Sequence, residues 1–121
     1  MWHMPSHILS RLKRYHDATW QQEASARVDH AHMMRDRLLP DQIHNYAHNN
    51  EWCIRNLLHI GRVEDAINLA KNMTENPRHP RYNSLTRRGS SYYGRARLFT
   101  TLYMYERWQQ MIDLSQTPYL E

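Results

Sequence analysis

Nine histidines in 121 residues are the strongest chemical signal in this chain. Two pairs, His3 with His7 and His44 with His48, are four residues apart. On a helix that spacing puts both imidazoles on one face, close enough to share a metal ion. Pro5 fits best in a first helical turn, so His3 is expected to precede the first helix, leaving His44 and His48 the sounder pair. No cysteine accompanies these histidines, and no His-Glu-x-x-His segment supplies the general base of a zinc hydrolase. A metal on His3, His7, His44 and His48 therefore ranks behind two plainer readings. In the first, His7 and His48 hydrogen-bond helix ends or loops, with Asn49 as a local cap or bridge. In the second they line a polar pocket.

Arginine supplies the second signal. It provides almost all of the excess behind a formal charge of +4, and between Glu75 and Glu106 no acidic side chain interrupts Arg78, Arg81, Arg87, Arg88, Arg95 and Arg97. Arginine among tyrosines (Tyr82, Tyr92, Tyr93) suits phosphate contact with base stacking, or a carboxylate on a partner segment. The ordinary expectation is that these side chains tie a long loop to its neighbouring helices. Asp29, His30, His32 and Asp36 form another polar group, expected on a solvated helix face. Cys53, the single cysteine, excludes an internal disulfide and sits in an apolar run as a buried structural thiol. Trp2, Trp20, Trp52 and Trp108 fall on or beside apolar stripes and are expected to pack. No glycine-rich phosphate cradle, nucleophile elbow or Ser-His-Asp motif is present, so no catalytic residue is assigned and the sequence leans away from an enzyme.

These residues must be positioned by helices. Apolar content of 40% is enough for one core without a metal or disulfide staple, only three glycines and five prolines punctuate the chain, and no strand-like alternation of useful length occurs. The apolar period predicts helices over about residues 6–13 and 17–37, the latter turning Trp20, Ala24, Val28, Ala31 and Met34 inward. After Pro40, with Asp41 as cap, a third helix runs to about Ile60 with Cys53, Ile54, Leu57 and Leu58 inward. Gly61 ends it, and a fourth over Val63 to Glu75 buries Val63, Ala66, Ile67, Ala70 and Met73. A fifth is capped by Ser90 or Ser91, slightly weakened by Gly94, and continues to Tyr105 with Leu98 and Leu102 inside. A last one covers about 107–115. The fold class is all-α with about six helices, one domain over 1–121, hairpins at about 5–38, 41–76 and 90–116, and a basic loop at 77–89.

The turns inside the three hairpins superimpose. Leu12-Lys13-Arg14-Tyr15-His16-Asp17-Ala18, His59-Ile60-Gly61-Arg62-Val63-Glu64-Asp65-Ala66 and Tyr105-Glu106-Arg107-Trp108-Gln109-Gln110-Met111 form an internal repeat. Its spacing exceeds the roughly 34 residues of a regular tetratricopeptide repeat (TPR). Small residues such as Ala18 and Ala66 let paired helices approach closely.

The turn Gly61-Arg62-Val63-Glu64-Asp65-Ala66-Ile67 resembles the helix-to-helix turn of TPR proteins, and Arg14-Tyr15-His16-Asp17-Ala18 resembles a second copy. His3-Met4-Pro5-Ser6-His7-Ile8 together with Tyr46-Ala47-His48-Asn49 resembles a family of bacterial TPR-like proteins, over about residues 2–73. The resemblance implies hairpins stacked as an α-solenoid whose leading helices share a concave wall, and an internal or C-terminal fragment of a longer protein. The leading functional expectation is an interaction module that binds a protein segment or small polar ligand in a groove lined by His3, His7, Tyr46, His48 and Asn49, edged by Arg87 and Arg88, where His7 and His48 can approach each other. A protein or peptide partner is the leading expectation and nucleic acid a lesser one. A cofactor is not expected, a histidine-bound metal being the alternative. Self-association through uncapped repeat ends is a further expectation. No membrane-length apolar run or signal peptide is present in this segment, and the parent is compatible with a cytoplasmic or an exported location.

Overall fold

The computed structural model describes residues 2–82 and 89–120. Six helices are present among them: α1 (His3–Arg11), α2 (Tyr15–Asp36), α3 (His44–His59), α4 (Val63–Glu75), α5 (Ser90–Met104) and α6 (Trp108–Leu114). A short 3-10 turn, Pro40–Gln42, precedes α3, and no strand occurs among the described residues. None of these helices is long and apolar enough to cross a membrane.

The repeated turn has a physical signature. Lys13, Gly61 and Glu106 each adopt a left-handed backbone, with φ of 58°, 76° and 53°. In each case the following arginine N–H reaches back to a carbonyl in the last turn of the preceding helix: Arg14 to Leu9 (2.9 Å), Arg62 to Leu57 (3.0 Å) and Arg107 to Leu102 (2.9 Å). This satisfies carbonyls that a helix end leaves unpaired and folds the chain back on itself. The same arginines then start the next helix, their carbonyls accepting from Ala18, Ala66 and Met111. Two of them also hold an aspartate three residues on, Arg14 to Asp17 at 2.7 Å and Arg62 to Asp65 at 2.6 Å. The internal repeat read from the sequence is therefore present as repeated geometry.

Packing runs in chain order. α1 lies on α2, α2 on α3, α3 on α4 and α5, α4 on α5, and α5 on α6. The apolar core lies where α3, α4 and α5 meet: Ile54, Ile67, Met73, Leu98 and Leu102 are among its fully buried members. Gly94 sits here because a Cβ would fall 2.7 Å from the Ala70 carbonyl and 2.9 Å from the Met73 Cβ. The residue expected to weaken α5 instead lets α5 close on α4.

Two expectations are overturned. α2 does not bury Trp20, Val28 and Met34, which are more than half exposed; it buries Ala18, Thr19, Gln22, Ser25 and Met33. The face that α2 turns to its neighbours is largely polar, because hydrogen-bonding partners wait there. Likewise Trp2, Trp20 and Trp108 are exposed, and only Trp52 of the four tryptophans is half-buried. Cys53 behaves as expected: it is buried, and burial pushes its thiol up to about 12.

Candidate functional site

The polar seam of α1, α2 and α3 is built from α2 outward. Gln22 donates to the Ser6 hydroxyl at 2.5 Å, and Ser6 donates to the His3 carbonyl at 2.6 Å, which fixes the first turn of α1 on α2. α1 begins at His3 rather than after Pro5. A proline in the first turn lacks an N–H that would in any case have no helical acceptor, so the helix starts ahead of it. His3 and His7 are therefore one turn apart on a single face, contrary to the expectation that Pro5 would separate them.

From the other side, α3 carries Asn49, which is 1% exposed. Its amide nitrogen donates to the Ser25 hydroxyl at 2.7 Å and to an Asp29 carboxylate oxygen at 2.5 Å, both on α2. With both amide hydrogens so committed, the Asn49 oxygen can only accept, and it accepts from His3 Nδ1. His3 is thus assigned as donor through Nδ1, which turns its Nε2 toward His7. Asp29, expected on a solvated face, is half-buried, and burial raises its carboxyl above the ordinary value against the lowering effect of the Asn49 hydrogen bond. His32 and Asp36 of the same polar group do pair at the surface, at 2.7 Å.

What this scaffold brings together is three imidazole nitrogens of the same kind. His7 Nε2 lies 3.0 Å from His3 Nε2 and 3.3 Å from His48 Nε2, and the candidate donor atoms of the three residues all fall within 4.8 Å of one another. Ligand nitrogens about 2.0–2.1 Å from a tetrahedral zinc are separated from each other by roughly 3.3 Å. Two of the observed separations are close to that edge length. Burial is the main cause that lowers the His48 pKa, to about 4, assisted by His3, His7 and His44. Burial also lowers His7, with His3 and Arg11 contributing. Both imidazoles are thereby held neutral, the form that coordinates metal. Trp52 covers one side of the cluster, its ring edge-on to His7 at 4.4 Å between centroids and 6.3 Å from His48. No family model, curated protein or solved structure matches this chain. Function is therefore read from the geometry of the site itself.

Of the residues singled out from the sequence, His3, His7, His48 and Asn49 converge. Tyr46 does not join them: it is buried and accepts from the Asn76 side chain at 3.1 Å, beyond the end of α4. His44 is exposed and stacks on His48 at 5.5 Å, outside the three-histidine group. One turn before His48, it lies too early on α3 to face α1. Arg87 and Arg88 lie outside the described residues. Arg78 bonds Ser91 at 2.9 Å and Arg97 bonds Glu51 at 2.7 Å, so two members of the basic stretch fasten neighbouring segments, as the plainer reading expected. Ser25 is not singled out by the sequence reading and Asp29 is placed there on a solvated face, although Gln22, Ser25 and Asp29 recur at spacings of three and four. A polar stripe of helical period is a readable signal when apolar residues are not assumed to mark the buried face.

Proposed function

We propose that this chain is a helical-repeat module that holds one divalent first-row transition metal ion, zinc in the first instance, on His3, His7 and His48. The observation that carries this is the convergence of three Nε2 atoms on two helices, with His7 and His48 separated by 41 residues in sequence. Three imidazoles and no thiolate suit zinc, copper, nickel or iron rather than magnesium or calcium. Three protein ligands leave a position for an exogenous ligand, as in metal sites that bind or activate a small molecule. Asn49 and Asp29 supply the outer support that orients a metal-ligating histidine through its second nitrogen. The TPR-like organisation that the turn motifs resemble fits this reading, with paired helices delivering ligands from their leading members; the repeated left-handed turn supports it.

The test is equilibrium dialysis of the purified chain against zinc with elemental analysis. One equivalent per chain is expected, lost in His7→Ala and in His48→Ala while helical content by circular dichroism is unchanged. Folded wild-type protein that retains no zinc, or variants that retain all of it, would overturn the reading.

A further inference from the structure

Between α3 and α5 lies a cavity of about 430 Å³ with His48 at its wall. Trp52, Arg55, Tyr93 and Arg97 also line it, as does Glu51. A second cavity of about 440 Å³ shares Trp52, Arg55 and Arg97 and extends the space past Leu58 and Met104. Both exceed the lower end of the range in which small organic ligands bind.

The charges in this space do not balance. Among the described residues Glu51, 5% exposed, is the sole carboxylate lining either cavity, and one of its oxygens, Oε1, takes Arg97 Nε at 2.7 Å, Arg97 Nη2 and Arg55 Nε at 3.1 Å. Two guanidiniums against one carboxylate leave a net charge of +1. Glu51 also pre-orders the pair, so the side-chain entropy of holding two arginines together is spent in folding. Arg55 is further fixed over the Trp52 ring, 4.6 Å from its centroid. The result is a cationic fork beside a flat aromatic wall.

We propose that this space binds an organic monocarboxylate. Its carboxylate sits on Arg55 and Arg97 and its apolar body lies against Trp52 and Tyr93, directed toward His48. A single excess positive charge matches a carboxylate rather than a phosphate dianion, and guanidinium forks take carboxylates in paired hydrogen bonds. Aromatic and apolar walls favour an unsaturated or hydrocarbon body over a sugar. The anchoring stands on α3 and α5 alone. It does not rest on the proposed metal site.

The experiment is calorimetric titration of the full chain, zinc-loaded and zinc-free, with 3-phenylpropionate, its neutral amide 3-phenylpropanamide, and inorganic phosphate. One carboxylate per chain is expected, binding at least tenfold more tightly than the amide and more tightly than phosphate. Arg55→Gln is expected to weaken it about tenfold or more, the scale of a lost charge-assisted hydrogen bond. Thr100→Trp, which fills both cavities from the α5 side without removing a charge, is expected to abolish it, and circular dichroism checks that each variant folds. Equal affinity for acid and amide, preference for phosphate, or indifference to both substitutions would overturn the proposal. The two readings fail separately: zinc retention without selective carboxylate binding sinks this proposal alone, whereas Arg55-dependent carboxylate binding in a chain that takes no zinc sinks only the metal site.

Discussion

The two sides of α3 are made of opposite materials. Toward α4 and α5 it presents Cys53, Ile54, Leu57 and Leu58 to a continuous apolar core; toward α1 and α2 it presents His48 to His7, and Asn49 to His3, Ser25 and Asp29. The apolar side gains stability in proportion to the area it removes from water. The polar side gains little net stability, since its hydrogen bonds replace bonds to water, and leaving any partner out is costly. It does fix one arrangement of side chains. The comparison assigns the two faces different work: α4 and α5 hold α3 in place so that its other face can position chemistry.

The largest effect on stability should come from the apolar side. Ile67→Ala, at a position 1% exposed, is expected to cost about 2–5 kcal/mol in urea denaturation, with zinc stoichiometry of the folded fraction retained. Substitution on the polar side should separate the two properties the other way. Asn49→Ala removes the acceptor for His3 Nδ1–H, and is expected to weaken zinc binding about 10–100-fold, the usual range for an outer-shell partner. If Asn49→Ala left zinc affinity intact, the seam would be packing only.

A smaller effect sharpens the comparison through pH. Because His48 has its pKa depressed to about 4 from 6.5, and His7 is shifted in the same direction, the unfolded chain takes up protons first as the pH falls. Their contribution to stability is fully present above about pH 6.5 and is lost progressively toward pH 4. The metal-free wild type should therefore lose urea resistance across that window, and His48→Gln should lose less. Identical pH profiles for the two would show that His48 does not report on the seam. The smallest effect lies in neither face but in the repeated turn, at its copy between α5 and α6. Glu106 holds φ of 53° where Gly61 occupies the equivalent place, so Glu106→Gly is expected to stabilise by roughly 1 kcal/mol, read as a raised melting temperature.

How far the sequence could be read follows the same division. α4 is legible over about Val63 to Glu75, with Val63, Ala66, Ile67, Ala70 and Met73 inward, because apolar periodicity reports burial when burial is apolar. The hairpin turns were legible because Gly61 marks the left-handed position and Lys13 and Glu106 align with it. α2 was placed correctly but turned the wrong way, since Trp20, Val28 and Met34 outweigh Gln22, Ser25 and Asp29 on any hydrophobic scale. Only knowledge of the partners Ser6 and Asn49 reverses that weighting. In the site, neighbouring leading helices lead one to expect His7 beside His48, and the structure has them 3.3 Å apart; the place of His3 is the harder part, because Pro5 argues against the helical start that sets it one turn from His7.

On the proposed reading, the polar face of α3 and the first turns of α1 form one metal site. It is tested most directly by titrating cobalt(II) into the chain of residues 1–121 and reading its visible absorption. One equivalent should produce the intense bands of a low-coordinate, nitrogen-ligated ion, absent in His7→Ala and displaced by zinc. A spectrum no different from aqueous cobalt, with the protein folded, would contradict the account.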